Sequence, residues 1–248
     1  MVVYMKEQDA FDIIIQAGQS NSQGCGLGAV EREFKPNGDI WYMNQDFSLT
    51  QAKEQESPNG KVNQFALSFC EEYIAGGRLK KSRKLLILRS AVGGTGFLDK
   101  RWGLKDDLYL TMMEMIKRAL AMNASNRLVA LLWHQGETDA ILQSTYEQYY
   151  DNIGKLVGSV RDTFSAPDLP FAAGDFVREW KSANEEICEP VIRALRDFCG
   201  RGGNARLAET ADLHSNNEDT GNGDVIHFSR NALYLLGVRY YKVLQDFF

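Results

Sequence analysis

A serine placed directly after a buried strand is the first residue of this sequence that could do chemistry. Residues 12–24 read DIIIQAGQSNSQG, so an apolar run stops at Gly18 and Ser20 follows among small and polar residues. A strand that ends in this way delivers a hydroxyl to the rim of a sheet, where a substrate can reach it. A serine is nearly inert at neutral pH unless a base takes its proton. Ser20 is therefore the candidate nucleophile, and the sequence must also supply a base.

The sequence holds three histidines, and one of them comes with a carboxylate partner. His227 ends the segment Asp-Val-Ile-His that begins at Asp224, close to the C-terminus and ahead of a predicted last helix. A carboxylate three residues earlier can accept the Nδ1 proton and leave Nε2 free to face the serine. The spacing favours His227 and Asp224 as base and orienting group. We expect His134 to be structural and His214 to be solvated.

Two further polar clusters follow apolar runs. The turn Gly93-Gly94-Thr95-Gly96 comes after the run 84–90, and its bare backbone N–H groups could receive an oxyanion. The segment Trp133-His134-Gln135-Gly136-Glu137 comes after the run 128–132 and places amide and carboxylate groups at another strand end. Four polar clusters are thus predicted at the ends of four different segments.

Together, the motifs GQSN, GGTG, HQGE and DxxH resemble those of the SGNH hydrolases, and more closely the sialate O-acetylesterase-like and carbohydrate esterase family 6 branch. The motifs span residues 12–230, and all four in this order are a more specific signal than any one alone. The resemblance implies a nucleophilic Ser20, a basic His227 and a partner carboxylate at Asp224. The groups that it implies for the oxyanion hole are the Ser20 N–H, Gly93 or Gly94, and the Gln135 amide.

The same resemblance implies supporting roles for Gln19, Asn21 and Glu137, which would tie the nucleophile turn to the neighbouring loop. The sequence departs from the family pattern at Ser22-Gln23, where relatives commonly carry an apolar residue.

The activity implied is the removal of acetyl groups from a carbohydrate through an acetyl-enzyme, with no metal or organic cofactor. Two other hypotheses remain open. A non-catalytic sugar-binding module on the same fold would be favoured if Ser20 and His227 lay too far apart to interact. A metal-dependent hydrolase would use as metal ligands His134, Glu137, Asp224 and His227. A chelator would abolish the activity of such an enzyme. A third and weaker hypothesis makes Cys25, five residues after Ser20, the nucleophile. A lone cysteine without a basic neighbour is more often structural.

The elements that must position these residues alternate between strands and helices. Apolar, β-branched runs predict strands at 12–17, 39–43, 84–89, 127–133 and 169–176, and a sixth at 205–211. Helical periods run through 108–122, 146–164 and 229–247, and capping-box spacing at Ser144/Glu147 and Ser182/Glu185 predicts two helix starts. This alternation indicates an α/β protein, a three-layer α/β/α sandwich with a central parallel sheet of about five strands. The resemblance implies its flavodoxin-like SGNH form. Ligands bind at the carboxyl ends of such strands, where the motifs fall.

Length, composition and net charge limit the number of domains and the classes of binding partner. With 248 residues and 44% hydrophobic content, the chain can bury a large core, and we expect a single domain over 1–248. A net charge of −5 argues against nucleic acid and anionic membranes. The N-terminal segment shows neither a signal peptide nor a membrane span, so we expect a cytoplasmic protein. An acetylated carbohydrate is the expected partner, and the oligomeric state is left open. The polar stretch 45–63 is a candidate substrate loop or an ordinary surface loop.

Overall fold

The computed structural model describes residues 9–58, 60–201 and 203–248. Most of the segment on which the signal-peptide expectation depends, residues 1–8, lies outside them. None of the helices in the described part of the chain is long and apolar enough to cross a membrane.

A central sheet carries seven strands, of which the six expected from the sequence are parallel. In chain order the strands are β1 (Ala10–Gly18), β2 (Ile40–Met43), β3 (Leu49–Gln51), β4 (Gln55–Ser57), β5 (Gly60–Val62), β6 (Arg83–Arg89), β7 (Arg127–His134), β8 (Phe171–Gly174) and β9 (Ala205–Ala208). The seventh strand of the sheet is β3, which pairs antiparallel with β2 at one edge. The order across the sheet is β3-β2-β6-β1-β7-β8-β9, with the small hairpin β4-β5 outside it.

Helices cover both faces of this sheet and make two separate hydrophobic cores. Along β1, Ile13 and Ile15 belong to one core and Ile14 to the other, because successive side chains of a strand point to opposite faces. The helices are α1 (Ser20–Gln23), α2 (Phe65–Ala75), α3 (Asp107–Ala121), α4 (Glu137–Ile141), α5 (Tyr146–Thr163), α6 (Arg178–Ala183), α7 (Glu185–Gly200), α8 (Asn216–Thr220), α9 (Arg230–Leu244) and the 3-10 turn Gln245–Phe247. The first core packs against α3, α5 and α7, and the second against α2 and α9. The expected three-layer α/β/α arrangement is confirmed, with more strands than expected.

Both expected capping boxes are wrong. Helix α5 is capped by Thr145, whose hydroxyl accepts from the Gln148 backbone, so the box lies one residue later than expected. At the second position α6 ends at Ala183, and α7 begins at Glu185 without a side-chain cap. The expected start of the last helix is confirmed, because Ser229 caps α9. The polar stretch 45–63 contains β3 and the hairpin β4-β5 rather than a plain loop.

The direction in which strands are added to the sheet reverses beside β1. From β1 the chain adds β2 and β6 on one side and then β7, β8 and β9 on the other. The carboxyl edge at such a reversal is the usual ligand site of an open parallel sheet. Ser20 follows β1 at this edge, Gly93 lies beyond β6, and Gln135 follows β7.

Candidate active site

The turn that carries Ser20 is formed by a glycine in a conformation that other residues avoid. Gly18 has φ of 127°, and a Cβ atom built on it would lie 2.1 Å from the carbonyl oxygen of His134. The close approach lets the Gln19 N–H donate to that carbonyl at 2.9 Å. The chain then turns at once into the short helix α1, so that Ser20 stands at the carboxyl edge of the sheet.

The structure brings Ser20, His227 and Asp224 into one hydrogen-bonded line. Ser20 Oγ lies 2.9 Å from Nε2 of His227. The other ring nitrogen, Nδ1, lies 2.9 Å from each carboxylate oxygen of Asp224. With Nδ1–H donating to the carboxylate, Nε2 is free to accept a proton from the serine hydroxyl. The imidazole is a quarter exposed, so a substrate can approach this line from solvent.

Asp224 is held in its charged form by its neighbours. Burial alone raises the pKa of Asp224, but hydrogen bonds from Asn216 and His227 outweigh it and hold the pKa below its ordinary value. Asn216 Nδ2 donates to Asp224 Oδ2 at 2.9 Å and to the Cys25 carbonyl at 3.0 Å. The carboxylate is thus fixed both in charge and in direction.

Asn21 ties the nucleophile turn to the His227 loop. Its side-chain oxygen accepts from the Phe228 N–H at 2.9 Å, and its Nδ2 donates to the Ile226 carbonyl at 3.1 Å. The same Nδ2 donates to Glu137 Oε1 at 2.9 Å. Glu137 is fully buried, and burial raises its pKa. These contacts place Asn21 and Glu137 next to the line of Ser20 and His227 and away from its solvent side.

His134 lies behind this network in the core. Its Nδ1 lies 3.0 Å from the hydroxyl of Tyr240, which itself donates to the Trp133 carbonyl at 3.0 Å. Nδ1 therefore carries the proton, and Nε2 is bare, 3.8 Å from Glu137 Oε1. Burial lowers the pKa of His134 to about 3, so the ring is neutral. His134 does not join Ser20.

The glycine turn approaches Ser20 through Gly93. A Cβ atom built on Gly93 would lie 3.5 Å from the Cβ of Ser20, whereas nothing lies within 4 Å of one built on Gly94. The Gly93 N–H donates at 2.8 Å to Oε1 of Gln23, an exposed side chain. An amide oxygen already accepts at this N–H, and the carbonyl oxygen of an ester is a similar acceptor. Ser20 is the first residue of α1, so its own N–H has no acceptor within that helix.

The expectation that the Gln135 amide serves the oxyanion hole is wrong in this structure. The side chain is fully buried, and its Nε2 donates to Asp139 Oδ2 at 2.7 Å and to the Thr95 carbonyl at 3.2 Å. Its Oε1 accepts from the Tyr149 hydroxyl at 3.0 Å. Both N–H bonds are used within the protein, so none is left for a ligand. Gln135 instead joins the end of β7 to the glycine turn.

Gln19 and Asp139 add further hydrogen bonds between the glycine turn, the Ser20 turn and the segment after β7. Gln19 Oε1 accepts from the Thr138 N–H at 3.2 Å and lies 3.4 Å from Gln135 Nε2. The Asp139 carboxylate accepts from the backbone N–H groups of Phe97 and Leu98, both at 2.9 Å. The turn 93–96 is thereby fastened to the segment that follows β7.

The metal-ligand and cysteine hypotheses concern residues close to this site. Among residues 9–58, 60–201 and 203–248, no group of three or more His, Cys, Asp and Glu side chains is arranged to hold a metal ion. Burial, followed by the nearby Asp224 charge, raises the pKa of Cys25 to about 11, so its thiol is uncharged at neutral pH. His214 pairs with Asp219 at 2.8 Å on the surface.

Two residues at the site, Asn216 and Asp139, escaped the sequence analysis. Both are fully buried polar residues whose only sequence signal is their closeness to a motif, eight residues before Asp224 and two after Glu137. The role of a third residue, Gln23, was also missed, because the sequence analysis noted it only as a departure from the family pattern.

Comparisons with known proteins agree with the motifs. The sequence model of the family described as carbohydrate esterase, sialic acid-specific acetylesterase, matches residues 10–246. A protein of Arabidopsis thaliana named probable carbohydrate esterase is 25% identical over 175 residues, which cover 64% of this chain and 66% of that protein. The match therefore spans just under two thirds of that relative's length.

Solved structures are similar in fold over nearly the whole chain. NanS superposes with a TM-score of 0.79 at 18% identity, covering 98% of this chain and 99% of its own. The Arabidopsis thaliana structure gives 0.75 at 21% identity, covering 95% and 98%. A structure described as a novel carbohydrate acetylesterase from Xanthomonas citri gives 0.62 at 14% identity, covering 95% of this chain and 57% of its own. At these identities the likeness concerns the fold alone.

Proposed function

Because this chain belongs to the carbohydrate esterase family described as sialic acid-specific acetylesterases, we propose that it is a serine esterase that removes O-acetyl groups from a carbohydrate. The observation that carries the proposal is the contact of 2.9 Å between Ser20 Oγ and His227 Nε2. A serine hydroxyl and an imidazole at this distance, with a carboxylate on the far ring nitrogen, are what proton transfer from the nucleophile requires.

In the proposed acylation step, His227 Nε2 takes the proton of Ser20 as Oγ attacks the carbonyl carbon of the acetyl ester. The negative charge moves to the carbonyl oxygen, which accepts from the N–H groups of Ser20 and Gly93 after displacing the Gln23 oxygen. The C–O bond to the sugar then breaks, and His227 returns the proton to the departing sugar oxygen. The products of this acylation half-reaction are a sugar with a free hydroxyl and an acetyl group on Ser20.

Deacylation repeats the same proton path with water. His227 takes a proton from water as its oxygen attacks the acetyl carbonyl, and the same two N–H groups hold the oxyanion. The bond to Ser20 breaks, Oγ regains its proton from His227, and the product leaves as acetic acid, which gives its proton to solvent to become acetate. Asp224 stays ionised throughout and stabilises the imidazolium that forms in each half.

Acetate release tests this proposal. Wild type, Ser20→Ala and Ser182→Ala would be compared on acetylated mono- and oligosaccharides and on 4-nitrophenyl acetate, with circular dichroism to check folding. Ser182 is an exposed serine on α6, so its loss controls for a generic serine substitution. Ser20→Ala should lower turnover by about 10⁴-fold or more, and Ser182→Ala should leave it unchanged. For the base, His227→Ala should also lower turnover strongly, whereas the control His214→Ala should leave it unchanged.

Retained turnover in a folded Ser20→Ala variant contradicts the serine mechanism. Binding of acetylated sugars by the wild type without any release of acetate would favour the sugar-binding module. Loss of activity on adding a chelator, restored by a divalent ion, would favour the metal-dependent hydrolase.

A further inference from the structure

The side chain of Gln23 occupies a hydrogen-bond donor that the proposed reaction needs. Its Oε1 accepts from the Gly93 N–H at 2.8 Å. A Cβ atom built on Gly93 would lie 3.2 Å from this oxygen and 3.5 Å from the Cβ of Ser20, so the contact is formed next to the nucleophile. An ester oxygen that is to accept from the Gly93 N–H therefore meets a donor that is already in use.

This contact is made by an exposed side chain on a fixed backbone. Gln23 is the last residue of the short helix α1, and its side chain is exposed. Its backbone N–H donates to the Gln19 carbonyl at 2.8 Å. Exposed side chains change rotamers within picoseconds to nanoseconds. The bond to Gly93 can thus open by a movement of the Gln23 side chain alone.

A polar cavity of about 270 Å³ offers the displaced amide a second position. The cavity lies at the carboxyl ends of β1, β2 and β6, and Gln23 is one of its wall residues. Three buried atoms of the same wall have no hydrogen-bond partner among the described residues: Gln16 Oε1, Ser22 Oγ and Gln64 Oε1. Their side chains are at most 2% exposed. Buried polar atoms normally have a partner, and an amide that turned into the cavity would supply one.

Gln16 Oε1 is well placed to accept from the Gln23 amide. Gln16 Nε2 donates to the Ser22 carbonyl, so the Gln16 amide lies against the residue that precedes Gln23. That nitrogen is in use, whereas the oxygen of the same amide is left as an acceptor. The Gln64 amide, by comparison, donates to the Tyr42 hydroxyl of β2.

We propose that Gln23 is a gating residue of the oxyanion hole, with two side-chain positions. In the closed position, which the structure shows, Gln23 Oε1 caps the Gly93 N–H. In the open position the side chain turns into the cavity, Gln23 Nε2 donates to Gln16 Oε1, and the Gly93 N–H is left for the ester oxygen. The inference rests on the proposed function, because the gate acts on a donor that the proposed reaction uses.

The gate lowers activity without abolishing it. Each position gives the Gln23 amide one hydrogen bond to a protein group. The populations of the two positions therefore differ by no more than one net hydrogen bond allows, which is about two- to tenfold. The apparent affinity for substrate falls in proportion to the fraction of molecules in the competent state.

Acetate release by variants of similar side-chain size tests the gate. Gln23→Met removes the strong acceptor, so kcat/KM should rise about two- to tenfold, mainly through KM, because the gate and the ester oxygen compete for one N–H. Gln23→Glu supplies a charged acceptor, which binds that N–H more tightly, so kcat/KM should fall about tenfold or more. Gln245→Met and Gln245→Glu, which change an exposed glutamine after α9, should match wild type.

A double-mutant cycle with Gln16 separates a gate from a packing effect. Gln16→Met removes the acceptor of the open position, so it should lower kcat/KM about two- to tenfold in a protein that keeps Gln23. In the Gln23→Met background the same change should have little effect, because no gate is left to hold open. Equal losses in both backgrounds overturn the gate, because they show that Gln16 only supports α1.

The Gly93 N–H gives a readout that needs no turnover and still decides if Gln16→Met does not fold. In protein made with isotope-labelled glycine, Gly93→Ala identifies the amide signal of this residue. Exchange of that amide with solvent should be faster in Gln23→Met than in wild type and slower in Gln23→Glu, since a bonded N–H is protected. Unchanged exchange in Gln23→Met overturns the gate, because the contact is then not formed in solution.

The gate and the esterase proposal fail in different ways. Acetate release by wild type, with an equal kcat/KM for Gln23→Met, overturns the gate and leaves the esterase proposal standing. No acetate from wild type, with a serine-directed phosphonate labelling Ser20 faster in Gln23→Met than in wild type, supports the gate and overturns the esterase proposal. No label on Ser20 in any of these proteins overturns both.

Discussion

The side chain of Asn21 holds the backbone on both sides of His227. Its oxygen accepts from the N–H of the following residue at 2.9 Å, and its nitrogen donates to the carbonyl of the preceding residue at 3.1 Å. Asn21 is also the residue after Ser20. One buried amide therefore fixes the distance between a loop near the C-terminus and a turn near the N-terminus, 206 positions apart in the chain from Asn21 to His227.

Removing this amide should misplace the base without touching the nucleophile. We expect Asn21→Ala to lower kcat by about a hundredfold, because a displacement of the order of 1 Å between reacting groups has that effect. Ser20 should still be present and accessible in the variant. Steady-state kinetics on 4-nitrophenyl acetate and thermal unfolding together measure the effect, and unchanged kcat in a folded variant would show that the His227 loop holds its position unaided.

Gln135→Ala tests the corrected role of the buried amide. The substitution removes a donor to Asp139 and an acceptor from Tyr149 in the core, so we expect the free energy of unfolding to fall by about 1–3 kcal/mol. Chemical denaturation measures this loss, and kcat should change less than the hundredfold or more that loss of an oxyanion donor causes. A variant of full stability with kcat lowered a hundredfold would restore Gln135 to the oxyanion hole.

His134 should make stability depend on pH. Burial lowers its pKa from 6.5 to about 3, so below about pH 6.5 the unfolded chain takes up a proton that the folded chain does not. The free energy of unfolding contributed by His134 is therefore complete above pH 6.5 and is lost as the pH falls towards 3. The limiting slope is about 1.4 kcal/mol for each pH unit.

Denaturation of wild type and His134→Gln at pH 7, 6 and 5 isolates this contribution. The raised pKa of Glu137 acts in the opposite direction, because the folded state holds that proton above the ordinary 4.5, but both proteins keep Glu137. Wild type should lose stability faster than the variant as the pH falls. Parallel curves for the two proteins would mean that the folded state accommodates a charged His134.

Features of the fold and the site that depend on local sequence patterns could be predicted from the sequence. β-branched runs located the six parallel strands, and the motifs around Ser20, Gly93, Gln135 and His227 predicted the family, which is confirmed. The edge strand β3 was missed because its three residues, Leu49–Gln51, are too short and polar to show a pattern. The expectation of a single domain over 1–248 stays a prediction.

Contacts between distant residues decided the rest. The residue type of Gln135 suits an oxyanion donor, but Asp139 and Tyr149 direct its amide into the core, and no local pattern encodes that direction. Ser144 and Thr145 both suit a helix cap, and the contact with Gln148 selects the second.

The central claim is that Ser20 is the nucleophile activated by His227, and covalent labelling tests it most directly. A serine-directed phosphonate would be incubated with wild type, Ser20→Ala and His227→Ala. The modified residue would be located by tandem mass spectrometry, with peptide fragments that distinguish a label on Ser20 from one on Ser22 or Cys25. We predict one phosphonyl group on Ser20 in wild type, none in Ser20→Ala, and much slower labelling in His227→Ala, with loss of esterase activity in step with labelling. A label on Cys25 or Ser22, or full activity after Ser20 is labelled, would contradict the mechanism.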